Sequence, residues 1–346
     1  MDTKKVNDIT AENKSLNLLK AVSCLIVVLL HCPLPGLLGE AVIYGLRFSV
    51  PSFFMITGYY SYGRPSEWLK EKMKKTLILT IGAESFSGAV CLLIAAGSGH
   101  NGISIWIHEN HAFQNPVKTL LFGSFFNGTL WFLYALFWTL VILYFFEIYI
   151  RKTSILYRMI PLLLMLHITG RILVQTYGDI HTYVYFFRSA LFYGIPFVMA
   201  GRYAAEYESK IARYLDTQKC LLLLITGVGM MILEFLVSHT YMDLHVSSII
   251  ITFALFWLAC RHPRQDYIPH LRIIGKKYSM WIYIFHFPCI LIADYLQATF
   301  VENSIPTFYA WVKPVIVIIL SIALGAVAEI VSRKTCTAHK QQQDCG

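Results

Sequence analysis

The sequence is poor in charge and poorer still in acid. Asp, Glu, Lys and Arg make up 14% of its 346 residues, against 56% hydrophobic, and the mean hydropathy is +0.56. Soluble domains carry about a quarter of their residues charged. A chain with so little polar surface cannot close a soluble globule around its apolar residues, so a bilayer must be its solvent. Only 20 acidic residues face 29 basic ones, which leaves a formal charge of +9. That surplus sits in short clusters between apolar runs, as membrane-flanking charge does, and so argues against a nucleic-acid partner.

Paired cysteine is also missing. The eight cysteines stand at 24, 32, 91, 220, 260, 289, 336 and 345, with no C-x-x-C pair and no metal-ligand spacing. They read as small buried hydrophobes, and no metal is expected. No small-residue cleavage site follows the first apolar run, so that run is expected to remain as a first span rather than act as a signal peptide. No internal repeat, low-complexity tract or soluble domain interrupts the chain.

What the sequence does have is long apolar runs. Crossing about 30 Å of hydrocarbon takes roughly 20 apolar residues of helix. About ten such segments can be read, beginning near Leu16, Ala41, Thr76, Thr129, Ser154, Ser189, Gln218, Leu244, Tyr278 and Trp311. The fifth is weakened by His167 and the eighth is short, and a partial or re-entrant segment is read around Ile103 to Phe126. The expected fold is an all-α polytopic bundle over residues 16–334, between polar tails at 1–15 and 335–346.

Lys and Arg are retained on the cytoplasmic side of a membrane. The even-numbered links hold the clusters around Lys70 to Lys75, Arg151 to Arg158, Arg202 to Lys219 and Arg261 to Lys277, while the odd-numbered links carry only Lys118, Arg171, Arg188 and Lys313. With Lys4, Lys5, Lys14 and Lys20 at one end and Arg333, Lys334 and Lys340 at the other, both termini are expected in the cytoplasm. Glu67 to Lys75, with Trp68 and Leu69 among its lysines, reads either as an amphipathic helix on the inner leaflet or as a basic loop.

Ionisable groups inside spans cost several kcal/mol unless they line a cavity or find partners, which makes each a functional candidate. Four stand out: His31, Arg47, Glu84 and His286. At ~1.5 Å of rise per residue, His31 lies about 22 Å up the first span and Arg47 about 9 Å down the second, so the two share a depth in the outer half of the bilayer. Lys20 precedes His31 by close to three helical turns, which puts both on one face about 16 Å apart. That pair would suit the two ends of a coenzyme A thioester threaded into the membrane, although a lysine there also reads as snorkelling positive-inside charge.

His31 suits a general base, because its unperturbed pKa near ~6.5 allows proton abstraction from a hydroxyl. Pro33 and Pro35 end its helix, so it also reads as an interfacial histidine bonded to a loop carbonyl. His286 is either a second polar group of the same cavity or a histidine hydrogen-bonded within the bundle. Glu84, among small residues of the third span, either partners Arg47 or another base or is protonated and structural. Glu329, His108 and His111 read as structural or solvated.

With these residues laid out, the chain resembles the acyltransferase-3 family of integral membrane acyltransferases over nearly its whole length. Lys20-AVSCLIVVLL-His31 is similar to the family's basic residue, ten mostly apolar residues and His. Arg47 to Tyr59 is similar to its R-F-x-V-P-x-F-F-M-I-[ST]-G-Y pattern. GTLWFLYAL at 128–136, YFFRSALFYGIPFVMAG at 185–201 and KKYSMWIYIFHFP at 276–288 resemble three further family stretches, in the same order. Lys20 stands where the family often has Arg, Ser189 where it often has Asn, and Phe287 separates His286 from the usual proline.

The resemblance implies transfer of an acyl group, usually acetyl, from cytoplasmic acyl-CoA to a hydroxyl of a carbohydrate or other cell-envelope component, in a bacterial plasma membrane. It implies His31 as general base or acyl relay, Lys20 on the CoA phosphates and Arg47 stabilising charge in an outer cavity. Arg188, Trp131 and His286 would shape the acceptor side, with Glu84 as a further cavity residue. Homo-oligomerisation or a partner enzyme outside the membrane stays open. The same pattern is shared by the membrane portions of vancomycin-resistance-associated serine racemases, which implies a second reading. In that reading the chain is a small-molecule, L-serine-like transporter, with His31 and Arg47 binding a carboxylate.

Overall fold

The computed structural model describes residues 12–99, 102–109, 116–123, 125–178, 185–238, 242–300 and 306–344. Lys4, Lys5 and His111 lie outside these, as do the side chains of Arg333, Lys334 and Lys340. The described chain is helical, in line with the apolar runs. It comprises α1 (Lys14–His31), α2 (Gly36–Gly45), α3 (Ser49–Ser61), α4 (Ser66–Gly97), α5 (Gly102–Glu109), α6 (Pro116–Phe122), α7 (Trp131–Phe145) and α8 (Ser154–Tyr177). Then follow α9 (Ile195–Glu206), α10 (Glu208–Tyr214), α11 (Thr217–Ser238), α12 (Val246–Arg261), α13 (Pro269–Lys277), α14 (Ser279–Phe300) and α15 (Pro306–Asp344).

Eight stretches are long and apolar enough to cross a membrane: 14–31, 36–61, 66–97, 128–150, 154–177, 217–237, 279–299 and 308–331. Two shorter segments fall where the sixth and eighth spans were expected. One is α9 with the π-helical turn Ala190–Gly194 that precedes it, and the other is α12. Large apolar side chains face outward, with Leu93 74%, Ile225 69% and Val237 83% exposed, as a lipid-facing surface requires.

The second span is broken. α2 and α3 meet at Leu46, Arg47 and Phe48, just before Pro51, and the break places Arg47 at a junction where backbone groups are not all tied into one ladder. The third span, α4, refines the sequence reading. Residues 67–75 are helical, as one of the two readings had them and not a loop, but they form the first turns of α4, which runs unbroken for 32 residues, rather than a separate helix. At ~1.5 Å per residue such a helix spans about 48 Å, more than the hydrocarbon core, so it extends beyond the membrane and its lysines ride on a rigid rod.

The centre of the bundle is set by two glycines. A Cβ at Gly58 on α3 would lie 1.9 Å from the Val198 carbonyl oxygen, and one at Gly201 on α9 would lie 1.9 Å from that of Met55. The two helices therefore cross backbone to backbone, as small residues permit within membranes. Phe54, Met55, Tyr193 and Phe197 fill the space around the crossing, each 1% exposed or less.

Candidate functional site

Two cavities flank the α3–α9 crossing on its α1 side. The inner one, of about 290 Å³, is lined by Lys20, Lys72 and Lys276 together with Tyr60, Trp68 and Tyr283 among others. α1 supplies Lys20, the cytoplasmic extension of α4 supplies Trp68 and Lys72, and α13 supplies Lys276. α13 can bring Lys276 this close because Gly275 sits against α1, where a Cβ would meet the Asn17 carbonyl oxygen at 1.8 Å. Lys20 Nζ lies 5.4 Å from the centre of the Tyr60 ring. Three lysines and two aromatic side chains, Tyr60 and Trp68, thus line one cavity, which makes it cationic.

Lys276 is held from outside the cavity by Glu12. The Glu12 carboxylate accepts from Lys276 Nζ at 2.6 Å and from Arg272 Nη1 at 3.1 Å. The Lys276 contact, with the two nearby positive charges, holds the Glu12 carboxyl below its ordinary value against the opposing effect of desolvation.

The outer cavity is small, about 30 Å³, and lined by His31, Arg47, Trp131, Arg188, Asp243 and Tyr283, with Val27, Leu30, Val50, Thr129 and Tyr193. His31 ends α1 and keeps exposed surface there, whereas the neighbouring Cys32 is buried. Arg188 donates from Nε and Nη2 to Asp243 Oδ1, at 3.0 and 2.5 Å, and its guanidinium lies 5.7 Å from the centre of the Trp131 ring. Arg171 Nη2 stands 3.8 Å from the other Asp243 oxygen. One buried carboxylate thus fixes two guanidinium groups, that of Arg188 in the lining and that of Arg171 behind it, and Arg47 adds a further positive charge to the lining.

His286 on α14 places its ring 5.3 Å from that of His31, centre to centre. Its Nδ1 lies 2.6 Å from the Tyr283 carbonyl oxygen, which can only accept, so Nδ1 carries the proton and Nε2 is left as the acceptor. Nε2 is buried without a hydrogen-bond partner among the described residues.

His31, Arg47, Trp131 and Arg188 are therefore brought to one cavity and Lys20 to the other, while His286, expected in the cavity, is fully buried and packs against His31 without lining either. Glu84 goes elsewhere. Only 6% exposed, it accepts the backbone N–H groups of Phe125 and Phe126 at 3.0 and 2.9 Å and the Tyr134 hydroxyl at 3.1 Å. It latches the loop before α7 rather than lining either cavity. His167 and Glu329 are structural as well: His167 Nδ1 meets the Phe192 carbonyl oxygen at 3.2 Å, and Glu329 accepts from Trp281 Nε1 at 3.2 Å.

The sequence reading took Lys72, Lys276 and Arg171 only as charge between spans and Trp68 only as part of an amphipathic stretch, and it did not single out Tyr60, Asp243 or Tyr283. A basic residue at the inner end of a span looks the same whether it faces lipid or a cavity. Among the described residues no group of three or more His, Cys, Asp or Glu side chains is placed to hold a metal. A further cavity of about 490 Å³, lined by Tyr157, Arg158, Pro161, Phe256 and Trp257 among others, is mostly apolar and holds no histidine or carboxylate to act as a general base.

Comparison with known sequences gives the same assignment as the motifs. The acyltransferase-3 family pattern, described as an acyltransferase domain, matches residues 13–330. No curated protein and no solved structure matches the chain. Because the match takes in both cavities and every span that frames them, the chain belongs to the acyltransferase-3 family and is a multi-pass membrane acyltransferase.

Proposed function

We propose that this acyltransferase takes an acyl group, acetyl in the first instance, from cytoplasmic acyl-CoA bound at the inner cavity. It delivers that group to a hydroxyl of a cell-envelope carbohydrate or related acceptor bound at the outer one. The observation that carries the reading is that the two cavities, one with Lys20 and one with His31, have a single lining residue in common, Tyr283. Lys20, Lys72 and Lys276 match the phosphates of the donor, and Tyr60 and Trp68 match its adenine.

In the reaction His31 removes the proton from the acceptor hydroxyl as its oxygen attacks the thioester carbonyl. The carbonyl oxygen becomes an oxyanion beside Arg47, whose fixed charge favours the transition state over the bound ester. The C–S bond then breaks, and the imidazolium returns its proton to the departing sulfur. Arg188, tied to Asp243 and lying near Trp131, orients the acceptor instead of carrying charge for the reaction. The enzyme's task is to hold two substrates in line across a barrier.

The test is acetyl-CoA binding and acetyl transfer by the purified protein in detergent. Lys20→Ala and Lys72→Ala are expected to weaken binding, whereas His31→Ala binds as wild type and does not pass the acetyl group on. A folded wild-type protein that binds no acetyl-CoA overturns the reading and directs the next assay to uptake of L-serine.

A further inference from the structure

Donor and acceptor sites on opposite sides of a membrane need a barrier between them, because a continuous channel would let external water reach the thioester. We propose that Tyr283 is that barrier: a gate whose ring separates the two cavities and whose hydroxyl bond to Thr129 keeps it shut until the acyl group passes. The inference rests on the proposed two-substrate reading for its purpose but not for its test.

Tyr283 lines both cavities and is buried, 4% exposed, which puts it at the point where the two meet. Its hydroxyl donates to the Thr129 carbonyl oxygen, and its ring meets Phe132 edge to face with centres 5.4 Å apart.

The acceptor side of the bolt is rigid. Asn127 Oδ1 takes both the Thr129 N–H, at 2.9 Å, and the Thr129 hydroxyl, at 2.6 Å, and Asn127 Nδ2 reaches Ser87 Oγ on α4 at 3.2 Å. Glu84, one turn earlier on α4, holds the two residues before Asn127 through their N–H groups. The loop is thus pinned to the long helix α4 at successive points, and the pin ends at the carbonyl that Tyr283 uses.

The moving side is the ring and the turn that carries it. Pro288 lies within α14 and has no N–H to give to the Ile284 carbonyl, so the helix lacks a rung immediately after Tyr283. The Tyr283 carbonyl in turn receives His286 Nδ1, and the His286 ring is the one beside His31. A rotation of Tyr283 therefore opens the inner cavity toward the outer one next to the general base, and it moves the histidine that neighbours it.

The test is sidedness of labelling. A cysteine is placed at Val50, which lines the outer cavity only, and a small membrane-impermeant thiosulfonate is applied to the cytoplasmic face of inverted vesicles. Labelling at position 50 is read by mass spectrometry. With Tyr283 intact the cysteine is protected from that face. Tyr283→Phe keeps the ring and loses one neutral hydrogen bond, so labelling rises by about two- to tenfold, and Tyr283→Ala raises it further.

A second readout is acetyl-CoA hydrolysis without acceptor, in which water adds to the thioester carbonyl and the C–S bond breaks to give acetate, free thiol and a proton. Hydrolysis per bound acetyl-CoA rises in both variants. Protection that is unchanged in a Tyr283→Phe protein melting with wild type, or a Val50→Cys parent already labelled from the cytoplasmic face, overturns the gate. Labelling that follows Tyr283 while acetyl-CoA is neither bound nor hydrolysed upholds the gate and overturns the acyl-CoA reading instead.

Discussion

Replacing Gly201 by alanine tests the claim that the backbone crossing of α3 and α9 sets the geometry of both cavities. The new methyl carbon would sit 1.9 Å from the Met55 carbonyl oxygen. The closest ordinary carbon–oxygen approach between helices is about 3.3 Å, so the axes must part by roughly 1.4 Å or the helices must slide. Met55 and its neighbours are fully packed, and overpacking of this kind costs about 1–3 kcal/mol.

The functional cost should be larger than the stability cost. α3 carries Val50 to the outer cavity and Phe53, Ile56, Thr57 and Tyr60 to the inner one, so one displacement misaligns both sites. A misplacement near 1 Å lowers turnover by about a hundredfold. The assay is a thermal melt of the purified protein beside acetyl transfer under saturating donor. Gly201→Ala is expected to melt lower and to lose turnover well beyond the loss of folded protein. A variant that melts and turns over as wild type would refute the crossing as the element that sets the site. Gly229, with nothing within 4 Å of its position, is the control, and Gly229→Ala should be tolerated.

Three further outcomes are expected. Asp243→Asn removes the carboxylate shared by Arg188 and Arg171, both inside the bundle, and lowers stability by about 3–5 kcal/mol; denaturation in mixed detergent measures it, and Asp243→Glu restores part. Glu84→Gln leaves an amide facing two N–H donors that it cannot both satisfy, costing about 1–3 kcal/mol and loosening the loop before α7, which limited proteolysis between residues 116 and 128 reports. Glu12 is held below the ordinary 4.5 by Lys276 and Arg272, so its contribution is present above pH 4.5 and is lost as pH falls through the lower, folded value. Glu12→Gln is therefore expected to lower the melting temperature modestly in the neutral range and to flatten its acid-side fall, so that the two proteins converge at low pH.

The bundle was legible because hydropathy and positive-inside charge are direct consequences of the solvent. Ten apolar segments were expected, and helices stand at all ten places. The start of the third was misplaced from Ser66 to Thr76, since a helix continuing past the membrane is no longer governed by hydropathy and its lysines look like an ordinary inner link. The meeting of His31 with Arg47 was readable from depth alone, and the addition of Trp131 and Arg188 from the motifs. Glu84 was not readable, because its partners are backbone N–H groups of Phe125 and Phe126, about forty residues on, and no side chain marks them. Asp243 lies in a short link whose sequence, YMDLH, resembles any polar turn, and only the fold shows two arginines converging on it.

The N-terminal segment is stitched to the far end of the chain. Lys14 N–H donates to the Pro263 carbonyl, Asn13 Nδ2 to that of Ala259 and the Ser15 hydroxyl to that of His262, contacts separated by almost 250 residues. Lys20 likewise shares its cavity with Gly275, Lys276, Ser279 and Tyr283. During synthesis the first span enters the membrane with its lysine facing no partner, and it must wait while eight more segments are made. The inner cavity comes into being only when α13 and α14 leave the ribosome and close against α1. An arrested nascent chain that stops after α12 would have Asp243 and its two arginines but would lack the residues of α13 and α14 that wall the inner cavity, so that cavity is completed only late in insertion.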